Sequence, residues 1–372
     1  MKIAVVLLIT LHGLIHLMGP AQAFGLAELP QLSEPISRGM GVVWLVAAIA
    51  LLTTAVLVAL SVRSWWMVGL LAVVLSQAAL VTAWGDAKFG TLANLLLLGV
   101  VAHGFMSEGP FSFTAEYGRE VERRLAEAPS PVAVLTEVDL AHLPPPVQRY
   151  LRLTGAVDRP RAHHIRATWR GRIRAGPEEP WMAFTAEQHN FVHEPARFFR
   201  MDARRAGLPV DVLHAFRDGE ASMRVRLLSM IPVADARGPR MTQAETVTLL
   251  NDMALLVPSA MADPDLRDDL RWEAVDPRTA RVSYTVGPNE VSALLTFNEA
   301  GELVDFVSDD RFAIPPDGGE FVQWRWSTPV GDYRRFGALR LMSRGEGLWH
   351  APGGTYAYIE LELLELQVNG GR

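Results

Sequence analysis

The sequence predicts an α+β protein in which a four-helix transmembrane bundle precedes an antiparallel β half-barrel curled around one central apolar helix. Three observations favour this architecture. Four long apolar stretches lie before residue 107, segments with two-residue alternation follow them, and one helix that is apolar on nearly every face separates two groups of such segments. A sheet with one apolar face has to bury that face against another element, and this helix is the available partner.

The distribution of charge divides the chain into the same two parts. Hydrophobic residues make up 49% of the 372 residues, and four of the 35 basic and three of the 41 acidic residues precede residue 107. The remainder has an excess of negative charge, which predicts no general attraction for nucleic acid. The chain has no cysteine, which excludes disulfides, thiolate metal sites and a cysteine nucleophile.

A transmembrane domain is expected at residues 1–107, with spans at 3–24, 40–62, 64–84 and 91–106. The middle two are free of charge and long enough to cross about 30 Å of hydrocarbon. An alternative interpretation makes the first stretch a signal peptide that is cleaved after Ala21-Gln22-Ala23. Basic residues favour cytoplasmic ends at Lys2 and Arg63, so we expect a multi-pass protein of the bacterial inner membrane with a cytoplasmic C-terminal domain.

Three histidines are the polar residues of most interest within the spans: His12, His16 and His103. Intramembrane ionisable groups suggest a proton relay, a haem ligand or a metal site. The simpler interpretation, which we favour, is that neutral imidazoles hydrogen-bond between helices. His12 and His16 share a helix face, whereas His103 is expected at a different depth, so a single site for all three is not predicted.

The segment 108–131 is expected to contain a juxtamembrane helix and a linker. Residues 114–128 carry mixed charge and suit a solvated connector, and Pro129-Ser130-Pro131 ends it. The soluble domain is then 132–372. It opens with a short helix after Pro144-Pro145-Pro146, which ends at Gly155 because glycine suits a C-terminal cap.

Strands are recognised by alternation. In residues 164–174 Trp169 belongs to the apolar face, and a row of arginines on the other face is interpreted as solvated. Further strands are predicted before the central helix at 181–190, 197–204, 210–217 and 221–230, and after it at 271–275, 280–286, 290–298, 303–311, 321–327, 339–344 and 356–367.

The central helix is predicted to begin at about Gln243. Thr242 and Glu245 have the spacing of a capping box, in which the two side chains bond each other's backbone amides. The apolar residues among 247–257 cover nearly every face of the helix, and Asn251 and Asp252 interrupt this surface. A proline at 258 ends the helix.

Several segments, taken in order, resemble a bacterial family catalogued only as a domain of unknown function. They are LPPPVQRYLRLTGAV, the strand with Trp169-Arg170-Gly171, WMAFTAEQHNF, AETVTLLNDMALLVPSAM, LTFNEAGELVDFVSDDR and GLWHAPGGTYAY, and they span roughly residues 138–368. The resemblance implies a LolA-like half-barrel, similar to lipoprotein carriers that hold acyl chains between a curved sheet and helices. It does not extend to the four apolar stretches.

No motif of nucleotide binding, serine hydrolysis or zinc proteolysis occurs, so no catalytic residue and no metal ligand is predicted. A metal site at His189, His193 and Glu194 is disfavoured, because four residues of extended strand span about 13 Å. The acidic residues beside Arg311, which are Asp305, Asp309 and Asp310, are interpreted as a solvated turn with an ion pair rather than as acid–base groups.

The favoured function is a membrane-anchored, non-catalytic binding module for a lipid or another apolar small molecule, without a cofactor. Its ligand-binding residues are predicted to be Trp169, Glu245, Asn251, Asp252, Met253, Leu256, Arg311, Trp349 and Tyr356. One alternative is a redox or proton-handling membrane protein that uses His12, His16 and His103, with haem as the cofactor. The other is a structural protein that binds a protein partner.

Overall fold

The computed structural model describes residues 2–127, 133–314 and 319–370. It divides into two compact units, Met1–Glu116 and Tyr117–Arg372. The predicted linker Pro129-Ser130-Pro131 lies outside the described residues, so the domain boundaries at 107 and 131 stay predictions.

The first unit consists of helices. They are α1 (Lys2–His16), α2 (Met18–Ala23), α3 (Arg38–Ala59), α4 (Trp65–Thr82), α5 (Trp84–Ala87) and α6 (Gly90–Glu108). Four helical segments are long and apolar enough to cross a membrane: Lys2–Ala23, Arg38–Ala59, Trp65–Thr82 and Gly90–Ala126. The four predicted apolar helices are therefore confirmed.

The bundle helices alternate in direction and pack closely. Lys2 at the start of α1 donates a hydrogen bond to Ser61 just beyond the end of α3, with the two atoms 2.7 Å apart. Small residues fill the interhelical contacts, and Ala47, Ala48 and Ala79 have no exposed surface. Small side chains let apolar helices approach closely, which is the main source of helix association where lipid surrounds a bundle.

Helix α7 (Phe113–Ala126) corrects the expectation of a solvated connector. From residue 117 onward one face of α7 packs on the second unit, with Tyr117 and Val121 buried. Arg124 on the same face is 6% exposed and donates to Glu194 Oε2 at 2.8 Å and to Asp218 Oδ1 at 2.6 Å. The helix has a buried apolar stripe at helical spacing, which its mixed charge concealed.

A large antiparallel sheet dominates the second unit. Its strands, in chain order, are β3 (His164–Ile173), β4 (Met182–Phe191), β5 (Ala196–Arg205), β6 (Leu208–Arg217), β7 (Glu220–Leu227), β8 (Ile231–Arg237), β9 (Leu270–Asp276), β10 (Thr279–Val286), β11 (Asn289–Phe297), β12 (Leu303–Ser308), β15 (Arg325–Ser327), β16 (Val330–Gly331), β19 (Arg344–Ala351) and β20 (Gly354–Val368). Short pairs flank it, formed by β1 (Val134–Leu135) with β2 (Arg159–Pro160), β13 (Phe312–Ala313) with β14 (Val322–Gln323), and β17 (Arg334–Phe336) with β18 (Leu339–Leu341). Within the described ranges the order is β8-β7-β6-β5-β4-β3-β20-β19-β15-β12-β11-β10-β9, with β16 beside β19, and the two edge strands do not pair, so the sheet is open.

The sheet curves around helix α9 (Pro239–Leu256). This helix contacts β7 and β8 near one edge of the sheet and β11 and β12 near the other, which a flat sheet does not allow. Every residue from Ala244 to Leu256 is buried. The α+β architecture, with an open antiparallel sheet around a central apolar helix, is therefore confirmed. Helix α8 (Pro145–Thr154) also ends as predicted, with Gly155 in the left-handed conformation at φ 73°.

The predicted capping box of the central helix is wrong. Helix α9 begins one turn earlier, after Gly238, and Pro239 occupies its first turn, where the missing amide proton costs nothing. The Thr242 hydroxyl instead accepts a hydrogen bond from the amide of Ala221 at 3.1 Å. Glu245 therefore lies in the helix interior, with a side chain that is 0% exposed.

The arginine row on β3 is paired with neighbouring strands. Arg166 donates to Glu187 Oε1 at 2.6 Å, and the two following arginines bond carboxylates of β20 at 2.7 and 2.6 Å, in the pairs Arg170–Glu362 and Arg172–Glu360. The face is polar as predicted, but carboxylates on the adjacent strands neutralise these three arginines. Strands β8 and β19 were not predicted. Most residues of β8 are exposed and one is a proline, and β19 contains two glycines, so neither strand has a clear alternation of apolar and polar residues.

Candidate functional site

A cavity of about 190 Å³ lies between helix α9 and the concave face of the sheet. Aromatic, aliphatic and methionine side chains form most of its wall, among them Trp169, Phe199, Met201, Val212, Met223, Leu255, Leu256, Trp326 and Met342. The volume corresponds to roughly six water molecules at about 30 Å³ each. Three methionines have flexible thioether chains that adapt to the shape of what they contact, so the wall is deformable.

Charged residues lie against this apolar wall. Arg197 on β5 is 6% exposed, and its guanidinium bonds two carboxylates of α9: Nε is 2.7 Å from Asp252 Oδ2 and Nη1 is 3.2 Å from Glu245 Oε2. Glu245 and Asp252 are seven residues apart, two helical turns, which places both on the face that meets β5. A buried ion pair is tolerated when hydrogen bonds satisfy its atoms. Asp252 Oδ2 is well bonded here, whereas Glu245 Oε1 has no hydrogen-bond partner among the described residues.

Two amides complete the shell around Asp252. Gln188 Nε2 and Asn190 Nδ2 on β4 donate to Asp252 Oδ2 at 2.7 and 2.9 Å. Gln188 Oε1 in turn accepts from the indole of Trp169 at 3.1 Å. This network fixes the Asp252 carboxylate and orients one aromatic wall of the cavity.

Glu245 and His214 form the polar end of the cluster. Glu245 Oε1 lies 3.5 Å from His214 Nε2 on β6. Burial alone raises the pKa of Glu245, but the positive charges around it outweigh burial, and its pKa is lowered. Burial lowers the pKa of His214 to about 4, so the imidazole is neutral near neutral pH. The cluster therefore combines two carboxylates, two guanidiniums and a neutral histidine.

Arg311 is a further charged residue of the cavity wall, and part of its guanidinium lacks an acceptor among the described residues. It is 9% exposed, and its guanidinium lies over the ring of Trp326 at 4.1 Å and that of Trp349 at 5.6 Å. Within the described ranges, Arg311 Nε and Nη1 and the indole nitrogen of Trp326 are buried donors with no hydrogen-bond acceptor. Buried donors are costly to leave unpaired, so this end of the cavity suits a group that accepts hydrogen bonds.

The cavity brings together six of the nine predicted ligand-binding residues: Trp169, Glu245, Asn251, Asp252, Leu256 and Arg311. Asn251 is held by Thr328, to whose Oγ1 it donates at 2.7 Å. The other three are Met253, Trp349 and Tyr356, which are not among its lining residues. The Trp349 ring lies 5.6 Å from the Arg311 guanidinium. The same ring stacks on Tyr358, with ring centroids 5.6 Å apart.

The interpretation of Arg311 as part of a solvated turn is wrong. The ion pair at this turn is formed instead by Asp309 with Arg325, at 2.7 Å, while Asp310 accepts from the amide and hydroxyl of Ser292. Strand β12 ends at Ser308, so the chain direction changes before Arg311 and its side chain enters the core. Asp305, grouped with these acids by sequence, is separate from them, and burial raises its pKa to about 6.

Sequence reasoning missed Arg197 and His214, which complete the charged cluster. A signal was present in β5, where Arg197, Phe199 and Met201 alternate toward the concave face. An arginine in an inward register is a candidate for a buried ion pair. His214 had no such signal, because its neighbours on β6 do not indicate that it faces Glu245.

His189, His193 and Glu194 each bond a different partner. His189 Nδ1 bonds His164 at 2.7 Å, and Glu194 accepts from a side chain of α7. His193 instead lies near two acidic side chains, at 3.1 Å from Asp263 and 3.8 Å from Asp265. Arg161 pairs with both carboxylates. The Arg161 guanidinium therefore already neutralises the two carboxylates that a metal cation would bind.

In the helical unit, His12 and His16 take part in one buried cluster. His12 Nε2 is 2.9 Å from Asn94 Oδ1, and His16 Nε2 is 2.9 Å from the Ser76 hydroxyl. His103 follows Asn94 by nine residues on α6, which is about 13 Å along the helix axis. The arrangement matches the expected separation of the first two histidines from the third.

Residues 133–361 match a family of unknown function, DUF6544. The chain belongs to this family. The predicted resemblance to an uncharacterised family is thereby confirmed, and the DUF6544 region contains the whole cavity wall. No curated protein matches the chain significantly in sequence.

Two solved structures are similar to the chain at low identity. A LolA superfamily protein from Nitrosomonas europaea has 10% identity and a TM-score of 0.35, with 61% of this chain and 94% of that chain covered. A DUF1329 family protein from Desulfovibrio piger has 12% identity and a TM-score of 0.33, with 62% and 95% covered.

Proposed function

We propose that the protein is a membrane-anchored binding module that holds a small amphiphile, an apolar molecule with an anionic or hydrogen-bond-accepting group, in the cavity beneath α9. The observation that carries this proposal is Arg311, whose buried Nε and Nη1 have no acceptor among the described residues and which lies beside the apolar side chains that form most of the cavity wall. An aliphatic body would contact the methionines and aromatic rings, and an oxygen-bearing head would accept from Arg311. Ligand sites commonly combine an apolar wall with a few placed polar groups.

The unused hydrogen-bond donors of Arg311 support an acceptor as the head. Arg197 is bonded to both Asp252 and Glu245, so these carboxylates already have a cation. Arg311 has no carboxylate within hydrogen-bonding distance among the described residues. A carboxylate or phosphate oxygen would supply that missing partner, and such charge-assisted bonds are the strong ones.

The dimensions favour a short chain or one that leaves the cavity. A volume of about 190 Å³ is below the range of roughly 300–1,000 Å³ common for ligand pockets. A more open depression of about 660 Å³ shares the lining residues Val330, Gly345, Glu346 and Leu361 with the cavity. A longer aliphatic chain would extend toward this depression, with its head retained at Arg311. The apolar helices of the first unit would keep the module at a bilayer, the source of such molecules.

Photolabelling of the full chain in lipid nanodiscs tests this function. The probe is a diazirine derivative of a ten-carbon carboxylic acid, and the alcohol of the same length is the comparison ligand. We expect the acid to label peptides of β5, α9 and β20, and to do so more strongly than the alcohol. Arg311→Gln should reduce labelling by the acid about tenfold, because a hydrogen bond to a charged group contributes about 1.5–3 kcal/mol.

Arg325→Gln is the matched control, since Arg325 is exposed and bonded to Asp309 on the same sheet. It should leave labelling unchanged. Labelling confined to residues 2–116, or equal labelling of the Arg311→Gln and wild-type chains, would refute the proposal.

A further inference from the structure

Five buried side-chain atoms of the cavity wall have no hydrogen-bond partner among the described residues. They are His214 Nε2, Glu245 Oε1, Arg311 Nε and Nη1, and Trp326 Nε1. Glu245 is 0% exposed and Arg311 is 9% exposed. Buried polar atoms normally have partners, so this concentration in one cavity indicates a ligand whose head has more than one polar group.

Glu245 Oε1 and His214 Nε2 lie side by side without bonding each other. The two atoms are 3.5 Å apart, beyond the roughly 2.7–3.2 Å of an ordinary N–H···O hydrogen bond. Burial lowers the pKa of His214 to about 4, so its neutral imidazole carries one ring proton. A proton on Nε2 is attracted by the carboxylate, whereas a proton on Nδ1 would leave two acceptors facing each other. The pair therefore offers a ligand one donor and one acceptor.

A hydroxyl group matches this pair. It carries one proton to donate, and its oxygen also accepts hydrogen bonds. Because the two atoms are 3.5 Å apart, one oxygen can lie about 2.8 Å from both of them. It would then donate to Glu245 Oε1 and accept from His214 Nε2. An ammonium group fits less well, since its three protons need acceptors and Glu245 Oε1 is the single acceptor among the five atoms.

Arg311 and Trp326 supply the other three atoms, and all three are donors. The Arg311 Cζ atom lies 4.1 Å from the centroid of the Trp326 ring, so these donors are close together. The charge of Arg311 also acts on Glu245: burial raises the pKa of this carboxyl, but surrounding positive charges that include Arg311 lower it overall. One head with two oxygen-bearing groups can therefore meet both places. A carboxylate, which only accepts, suits the Arg311 donors, and a hydroxyl suits the Glu245–His214 pair.

We propose that the ligand is a hydroxylated fatty acid, whose carboxylate accepts from Arg311 and whose hydroxyl bridges Glu245 Oε1 and His214 Nε2. This inference rests on the proposed function, because it requires an amphiphile in the cavity with its head at Arg311. Glu245 then has two partners: Oε2 accepts from Arg197, and Oε1 accepts from the ligand. His214 determines specificity, since its Nε2 proton gains an acceptor only when the chain carries a hydroxyl near the carboxylate.

Competition for the photolabelled site tests this inference. The full chain in lipid nanodiscs is labelled with the ten-carbon diazirine acid in the presence of an unlabelled competitor. The competitors are decanoic acid, its derivatives with a hydroxyl on the second or the third carbon, and the derivative with an amine on the third carbon. We expect one of the hydroxy acids to compete about tenfold more strongly than decanoic acid, because it adds a hydrogen bond to a charged carboxylate. The amine derivative should compete less strongly than that hydroxy acid.

His214→Leu removes the donor of the pair. The preference for the hydroxy acid over decanoic acid should then fall about fivefold, because one hydrogen bond is lost. His142→Leu is the control, since His142 is exposed and does not line the cavity, and it should leave the preference unchanged.

The outcomes separate this inference from the function on which it rests. Equal competition by decanoic acid and both hydroxy acids, with labelling that still depends on Arg311, would overturn the inference and leave the proposed function intact. A preference for the amine derivative, or the same hydroxyl preference in the His214→Leu and wild-type chains, would also overturn it. Failure of every acid to compete would refute the proposed function and this inference together.

Discussion

Buried polar side chains are stabilised differently in the two polar clusters of this protein, the one around Arg197 and the one around Ser76. Around Arg197 the sheet domain buries formal charges, and one guanidinium pairs with two carboxylates. Around Ser76 the helical bundle buries groups that can all be neutral, and it satisfies them by hydrogen bonds alone. In the sheet domain, strands that pack on α9 can place a side chain of opposite charge beside each buried charge. The apolar helical bundle has few charged side chains that could act as counter-ions. Removing a member should therefore cost more in the first cluster than in the second.

Arg197→Met should give the largest effect. The substitution keeps much of the side-chain volume but leaves Glu245 and Asp252 without their cation, so we expect a loss of about 3–5 kcal/mol in the free energy of unfolding. Chemical denaturation of the full chain, followed by tryptophan fluorescence, measures it. Arg172→Met, at an exposed pair with Glu360, is the control, with an expected loss of about 1 kcal/mol or less. Equal losses would contradict the importance of burial.

Asn94→Leu should cost less, because interhelical hydrogen bonds in membranes contribute about 0.6–2 kcal/mol. Removing the amide breaks contacts to His12, Ser76 and Gln77 at once, so we expect a loss near 2 kcal/mol. Thermal unfolding in detergent, compared with the Arg197→Met chain under the same conditions, checks the order of the two effects. A larger loss for Asn94→Leu would reverse the comparison.

Asp305→Asn should stabilise the protein by about 1 kcal/mol at about pH 8. Burial raises the pKa of Asp305 to about 6, and its Oδ1 has no hydrogen-bond partner among the described residues, unlike the paired Asp252. The folded state binds this proton more tightly than the unfolded state, so stability falls as pH rises from about 4 through about 6. The side chain is partly solvated, which reduces the full effect of the shift.

Denaturation of the wild-type and Asp305→Asn chains at about pH 4 and about pH 8 measures the change. The gain should vanish at the lower pH, where Asp305 is protonated. Asp309→Asn, at an exposed pair with Arg325, should give no gain at either pH.

His193→Gln should have the smallest effect. A hydrogen bond to Asp263 raises the pKa of His193, so the pair stabilises the protein below the ordinary histidine pKa near 6.5, and that contribution is lost as pH rises through the raised value. We expect a loss below about 1 kcal/mol at about pH 5.5 and a smaller one at about pH 8.5. Melting curves at the two pH values check the sign, and a larger loss at the higher pH would contradict it.

Much of the fold was predictable because it depends on local pattern. Long apolar runs identify helices that can cross a membrane, and alternation identifies strands such as β3 and β5 with nearly correct ends. The candidate site was predicted in part. Residues of α9 could be predicted as cavity-lining residues, because a helix that is apolar on nearly every face has to be buried in the core. Arg197 and His214 were missed, because they come from strands whose position relative to α9 is not encoded by local spacing.

The sequence by itself determined the two-part organisation, the antiparallel sheet and the central helix, since each follows from the period and length of apolar segments. Only the tertiary structure decided what the polar residues do. Glu245 has the spacing of a helix cap and is instead a buried partner of Arg197. Arg311 follows an acidic turn, yet its Nε and Nη1 are buried against the cavity without an acceptor among the described residues. The reason is physical: apolar patterning acts along the chain, whereas the partner of a buried charge is set by contacts between residues that are distant in sequence.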